Sequence, residues 1–243
     1  MNEVIHLLEN HRSIRKFLDQ PVEDAVVEKI ISCGQHAATS SFLQAYSVIR
    51  VRDAEKREQL ATWCGDQMHV KEAPLFLIFC ADLHRWQMAC EVQGVKMVPG
   101  MTEQFIIASV DAGIFGQNVL VAAESLGLGG VYVGGIRNHP REVSDLLQLP
   151  KQVYPVFGMS LGYPAQDPQV KPRLPLPLVL MEETYHEDGE LLKEYDHTFQ
   201  AYLNSRGSNQ RNQTWTQTVA EKVTREMRPH MRRYLTDQGF ELK

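Results

Sequence analysis

The sequence is short of the features that would place it at once. Its four cysteines, Cys33, Cys64, Cys80 and Cys90, form no CxxC pair, and the closest two lie ten residues apart. They read as reduced thiols of a cytoplasmic protein. No run of about eighteen residues is uninterruptedly apolar, so no membrane span is expected. The opening MNEVIHLLENHRSIRK has neither the apolar run nor the small-residue cleavage site of a secretory signal. A net charge of −5 has the wrong sign for a general nucleic-acid binder, and no such partner is expected. There is no G-x-x-x-x-G-K-[ST], no G-x-S-x-G and no H-E-x-x-H, and none of the nine histidines pairs at zinc-like spacing with a second ligand. No metal site, catalytic triad or paired-carboxylate motif is therefore expected.

What is present is ordinary globular composition: 243 residues, 43% hydrophobic and 23% charged. That length closes one sizeable core or two small ones. The first 180 residues alternate helical and strand-like patterns. Short helices are predicted from Val4 to about Asn10, after Pro21, and over Lys56–Trp63. Strands are predicted at Tyr46–Val51, Leu75–Cys80, Val131–Val133 and Val156–Leu161, the second continuously apolar as in a strand covered on both faces. Another helix is predicted over Arg141–Leu147. The strongest helix runs from Thr102 to Leu126; apolar residues occupy most of its circumference, so it belongs at the centre of the fold or in a subunit interface. Gln117 and Asn118 on it then need buried partners. His84–Gly100 reads as a variable polar stretch. Leu191–Asn204 and Trp215–Leu235 read as two helices of a tail with little core of its own. The chain is expected to be one α+β domain, residues 1–243, with a helical extension from about 189 to 243.

Several polar clusters have both a plain and a functional reading. Gly127-Leu128-Gly129-Gly130 follows a helix and precedes a strand, the reverse of the dinucleotide-binding order, and Tyr132 stands at the third glycine; a helix cap and turn accounts for it equally well. His11-Arg12-Ser13-Ile14-Arg15-Lys16-Phe17 is either a solvated charged turn or an anion site, where guanidinium forks onto phosphate and the serine hydroxyl adds a hydrogen bond. Lys171-Pro172-Arg173 repeats that choice, with proline fixing the backbone between two cations. Thr39-Ser40-Ser41-Phe42-Leu43-Gln44 is a hydroxyl-rich loop between helix and strand. Gln67, in a turn, carries an amide that matches the edge of a heterocycle.

Taken together these segments resemble the FMN-dependent nitroreductases, and among them the NADPH-dependent nitroreductase and flavin reductase group. The resemblance is carried by HRSIRKF (11–17), TSSFLQAYS (39–47), GDQMHV (65–70), AAESLGLGGVYVGGIRN (122–138), FGMSLGYP (157–164), VKPRLP (170–175) and SRGSNQR (205–211), in that order along nearly the whole chain. It implies a nitroreductase-like three-layer α/β/α fold with a central, mainly antiparallel sheet. It also implies an intertwined homodimer binding FMN at the subunit interface.

By the same resemblance, His11, Arg12, Ser13 and Arg15 hold the phosphate, ribityl chain and ring edge, and Lys171 and Arg173 complete the phosphate site. Thr39, Ser40 and Ser41 come from the neighbouring subunit, and Gln67 meets the pyrimidine edge. Tyr132, Val133, Gly134 and Gly135 line the ring, glycine letting the backbone approach a flat surface. Arg206 and Arg211 pair with the 2′-phosphate of NADPH, the flexible Gly207-Ser208 setting letting their loop close. The implied activity is hydride transfer from NADPH through FMN to nitroaromatics, quinones or free flavins, the redox chemistry being the cofactor's. A flavin-binding module with little turnover is the alternative. The segment Leu83–Met101 aligns with nothing in the family pattern and leaves the acceptor open.

Overall fold

The apolar run at 75–80 forms most of strand β2 (Leu75–Asp82), and every residue of that strand is buried. The pleat sends alternate side chains to opposite faces. Leu75, Leu77 and Phe79 join one hydrophobic cluster with Phe115, Val119 and Leu120. Phe76, Ile78 and Cys80 join another with Leu60, Val70, Ile136 and Val143. Each large side chain so buried contributes about 1.5–3 kcal/mol. The structure is a computed structural model and describes residues 2–207 and 210–243.

β2 is one of the inner strands of a four-stranded sheet of order β1-β2-β4-β3, antiparallel throughout. β1 is Tyr46–Arg50, β3 Gly129–Val133 and β4 Val153–Gly162. The β2–β4 register shifts between Phe79 and Cys80, and Cys80 then faces Pro155; a bulge is where a strand tolerates a residue without an N–H. Helices α2 (Asp24–Gln35) and α6 (Thr102–Ser125) cover one face. The other is covered by α3 (Ala54–Trp63), α4 (Met68–Glu72) and α7 (Pro140–Leu147). The expected α+β layering is present.

α6 buries Ala108, Asp111, Ala112, Phe115, Gly116, Val119, Leu120 and Ala123 along one face. Ile106, Val110 and Ile114 on another face are 47%, 51% and 40% exposed. By length and composition this helix is apolar enough to cross a membrane, with mean hydropathy 1.6, yet its inner face is packed on the sheet. Gln117 does not need a buried partner: it is exposed and its Oε1 accepts the Tyr132 hydroxyl at 3.2 Å.

Two further expectations are corrected. Residues 84–92 of the supposed polar stretch form helix α5 (His84–Val92), which buries no residue fully and so shows little apolar periodicity. The helix expected over 215–235 is two, α9 (Trp215–Val223) and α10 (Met231–Asp237). Pro229 and the left-handed Arg228 (φ 52°) separate them, since proline lacks the N–H that would continue the ladder.

The chain forms two compact units, Met1–Pro168 with His230–Lys243, and Gln169–Pro229. α10 therefore belongs to the first, where Tyr234, Leu235 and Phe240 pack with Ala108 and Tyr154. In the second, α8 (Gly189–Ser205) starts at Asp188, whose side chain accepts from the Leu191 N–H at 2.9 Å. Asp196 of α8 takes the Thr216 N–H of α9 at 2.9 Å, and the Tyr195 and Trp215 rings meet at 6.0 Å. Only Tyr195 and Leu203 of α8, and nothing of α9, are fully buried.

Candidate functional site

The edge of β3 organises the basic N-terminal segment. Ser13 bridges Gly130 in parallel fashion, and the Ile14 N–H donates to the Gly130 carbonyl at 2.9 Å. Further on, the Leu18 N–H donates to Tyr163 and the Ala165 N–H to Lys16, both at 2.9 Å. Residues 13–18 are thus held extended between β3 and the end of β4. Ile14 turns into the core and Arg15 turns out. Through these bonds Ser13 and Gly130, 117 residues apart in sequence, become neighbours in one piece of backbone.

The cations of that segment differ in their surroundings. His11 Nδ1 lies 2.6 Å from Glu124 Oε1, a carboxylate whose side chain is 11% exposed. Arg12 is ion-paired with Asp167. Arg12, Ile14, Glu124, Pro164 and Asp167 line a cavity of about 710 Å³ that includes none of Arg15, Gln67, Gly134 or Gly135. Arg15 is exposed and, among the described residues, makes no hydrogen bond or ion pair. An exposed guanidinium without a counter-ion is free to meet an anionic or polarised ligand.

Arg15 has an unusual neighbour. His69 of α4 is held below its ordinary pKa of 6.5 by burial and by the charge of Arg15, and its Nε2 is buried without a partner. Two residues earlier, Gln67 Nε2 donates to the Cys64 carbonyl at 2.8 Å. That same carbonyl lies 2.7 Å from where a Cβ on Gly135 would sit. Gln67 and the 134–137 turn after β3 therefore meet across Cys64. Glycine is required at 135 by this packing on the chain itself, whatever else approaches the turn. A Cβ on Gly134 would meet only the flexible Arg137 guanidinium, at 3.4 Å. Val133 beside it is buried. Tyr132 is 37% exposed, its ring edge-on to Phe157 at 4.8 Å, and burial together with the Glu124 charge pushes its phenol up to about 12.

Thr39, Ser40 and Ser41 lie in a tight loop before β1 with three non-glycine residues in left-handed backbone, Ser41, Phe42 and Gln44. In the second unit, the Tyr195 hydroxyl donates to the Pro172 carbonyl at 2.9 Å and so anchors the backbone between Lys171 and Arg173. Ser205 Oγ bonds Gln169 Oε1 at 3.1 Å, setting Arg206 at the end of α8 near the start of that segment. Arg211 lines a groove of about 660 Å³ with Gln217 and Glu221. Ser208 and Asn209 of the expected cofactor loop lie outside the described residues.

Three residues that organise these positions were not among the expected site residues. Arg57, 8% exposed, donates through Nε and an Nη to the Val70 carbonyl at 3.0 and 2.7 Å, fixing α4 against α3; burial brings it down to about 10. Asp111 holds the hydroxyl loop, and His69 faces Arg15. His69 lies inside the GDQMHV segment without being singled out there, and Asp111 shows in the sequence as the lone acid in the middle of the apolar run of α6.

The donor set fits a flat, phosphorylated heteroaromatic: an unpaired guanidinium, an amide, free hydroxyls and a glycine turn open at 134. Over 241 residues, 99% of both chains, the sequence is 46% identical to the oxygen-insensitive NADPH nitroreductase of Salmonella typhimurium. It is also 46% identical over 242 residues to the NADPH-flavin oxidoreductase of Vibrio harveyi, again 99% of both. Among solved structures, B. megaterium NfrA2 superposes with a TM-score of 0.97 at 40% identity, and the Vibrio harveyi NADPH:FMN oxidoreductase complexed with NAD+ with 0.91 at 42%; each comparison covers 100% of both chains. Residues 8–163 match the nitroreductase family and residues 171–243 its C-terminal domain, so the chain belongs to the nitroreductase family.

Proposed function

We propose that this chain is an FMN-dependent NADPH oxidoreductase. It takes hydride from NADPH and passes reducing equivalents, by way of bound FMN, to small-molecule acceptors: nitroaromatics, quinones or free flavins. The observation that carries the reading is Arg15, an exposed cation without a counter-charge in a segment bonded to the β3 edge. The full-length relatives named NADPH nitroreductase and NADPH-flavin oxidoreductase supply its chemistry. FMN, when bound, supplies a hydride acceptor that also hands on electrons singly or in pairs.

This chain's residues bind and orient. Arg15 sets positive charge against the electron-rich end of the ring, where charge accumulates on reduction. Gln67 offers its amide to the pyrimidine edge. His11, Arg12 and Ser13, with Lys171 and Arg173, serve the phosphate and ribityl chain. Tyr132 to Gly135 line the ring. Thr39, Ser40 and Ser41 act from a second copy of the chain, so the working enzyme is a cytoplasmic, intertwined homodimer. Each copy is one FMN-binding domain with a helical extension from about residue 189, of which the last stretch, His230–Lys243, belongs to the first compact unit. Arg206 and Arg211 select NADPH through its 2′-phosphate.

Purified protein is expected to be yellow and to bleach rapidly under anaerobic NADPH. A persistently oxidised spectrum assigns it instead as a flavin carrier. In Arg206→Ala, a lost charge-assisted phosphate contact lowers kcat/KM for NADPH about tenfold or more and leaves NADH untouched. Equal losses with both donors remove Arg206 from that role.

A further inference from the structure

The loop before β1 has an unusual backbone. Ser41, Phe42 and Gln44 have φ of 47°, 59° and 50°, a region L-residues with side chains enter only against steric resistance. Side-chain burial at the tip does not hold them there: Phe42 is 82% exposed and Leu43 45%. What holds them is beneath. Asp111, 2% exposed in the middle of α6, accepts the Ser40 N–H on Oδ1 at 3.1 Å and the Ala45 N–H on Oδ2 at 3.2 Å. The two oxygens of one carboxylate thus bracket the loop at both ends. No cation pairs with this buried acid among the described residues. A second anchor, Trp86 Nε1 to the Leu43 carbonyl at 2.8 Å, holds the tip from outside. Just before the bracket, the Thr39 hydroxyl is buried without a partner among the described residues.

A buried carboxylate without a cation is costly unless its hydrogen bonds are needed. Those here go to backbone N–H groups, so they fix the chain's path whatever side chains the loop carries. We propose that Asp111 is the positioning residue of the hydroxyl loop: its bidentate grip keeps Ser41, Phe42 and Gln44 left-handed and thereby presents Thr39, Ser40 and Ser41 to the cofactor. This rests on the reading above that the loop serves FMN.

The test measures FMN affinity of apo-protein by quenching of flavin fluorescence. Asp111→Asn keeps the shape but turns an NH2 group toward one of the two N–H donors. Losing one hydrogen bond to a charged acceptor weakens FMN binding about tenfold or more. Adding Gln44→Gly, which favours the left-handed backbone at no steric penalty, recovers most of the loss. Adding Gln148→Gly, at the left-handed C-cap of α7 (φ 53°), raises thermal stability but not FMN affinity. Unchanged affinity in Asp111→Asn, or equal rescue by the two glycines, overturns the proposal. Thr39→Val and Ser40→Ala in the natural chain separate the two readings: if neither weakens FMN binding, it is the loop's assignment to the cofactor that fails. Should Asp111→Asn not fold, amide hydrogen exchange of the natural holoenzyme decides. The Ser40 and Ala45 amides are expected to exchange far more slowly than that of Gln44, and fast exchange at both overturns the grip.

Discussion

A buried arginine and a half-buried histidine show how single residues set the geometry around Gln67. Arg57 spends two charge-assisted hydrogen bonds on one carbonyl, that of Val70. Arg57→Met fills similar space but strands that carbonyl, so unfolding stability is expected to fall by about 2 kcal/mol, a drop in Tm of about 4–8 °C at this size. Arg57→Lys recovers little, because one ammonium cannot reproduce the fork. Thermal denaturation of the three proteins checks this. His69 makes a pH-dependent contribution. Its folded pKa lies below the ordinary 6.5, through burial and then Arg15, so the unfolded chain takes up the proton first as pH falls. The stabilisation is complete above about 6.5 and is lost as pH drops through the lower folded value. Urea titrations between pH 7.5 and 5 are therefore expected to show the natural protein losing stability faster than His69→Gln. Parallel curves would mean that His69 is not held neutral.

At the scale of elements, the glycine turn after β3 separates two roles that look alike in sequence. Gly135→Ala places a Cβ 2.7 Å from the Cys64 carbonyl and 2.9 Å from its Cα; backbone atoms cannot step aside, and overpacking of this kind costs about 1–3 kcal/mol. Gly134→Ala meets only the end of Arg137, at 3.4 Å. It is expected to leave stability within about 0.5 kcal/mol and to weaken FMN binding, because the added methyl sits on the face assigned to the ring. Unaltered FMN affinity in Gly134→Ala would remove this turn from the cofactor's lining. That the two glycines differ was not legible in VYVGG, since Cys64, which crowds Gly135, lies 71 residues away. By contrast β2 and α6 were legible nearly to their ends, because burial on two faces and a long apolar run are written in local composition. α5 was not, since a helix with no fully buried residue leaves little periodicity. Of the residues proposed for the cofactor, His11 to Arg15 and Lys171 to Arg173 were legible as motifs. Arg57, Asp111 and His69 act through backbone carbonyls, backbone N–H groups or a neighbouring charge, which any sequence context provides.

At the scale of the molecule, the question is what covers α6. Ile106, Val110 and Ile114 recur at i, i+4 and i+8, forming one stripe, and each is 40% exposed or more. α1 (Glu3–Glu9) buries none of its residues, leaving Val4, Ile5 and Leu8 at 57%, 40% and 50%. A seven-residue helix with no buried side chain is too short to persist on propensity alone, and exposed apolar stripes of this kind mark interaction surfaces. A second copy of the chain is the occupant proposed above, and in a two-fold interface every substitution acts twice. Val110→Arg, in the middle of the stripe, then puts two guanidinium groups into an apolar contact and leaves the inner face of α6, with Phe115 and Val119, untouched. Sedimentation is expected to show a dimer for the natural protein and a monomer for Val110→Arg, with unaltered secondary structure by circular dichroism. If the hydroxyl loop acts in trans, FMN affinity falls with dimerisation, and raising the protein concentration restores both together. A monomer that keeps its FMN would place the whole cofactor site within one chain, and a variant that stays dimeric would move the interface off this stripe.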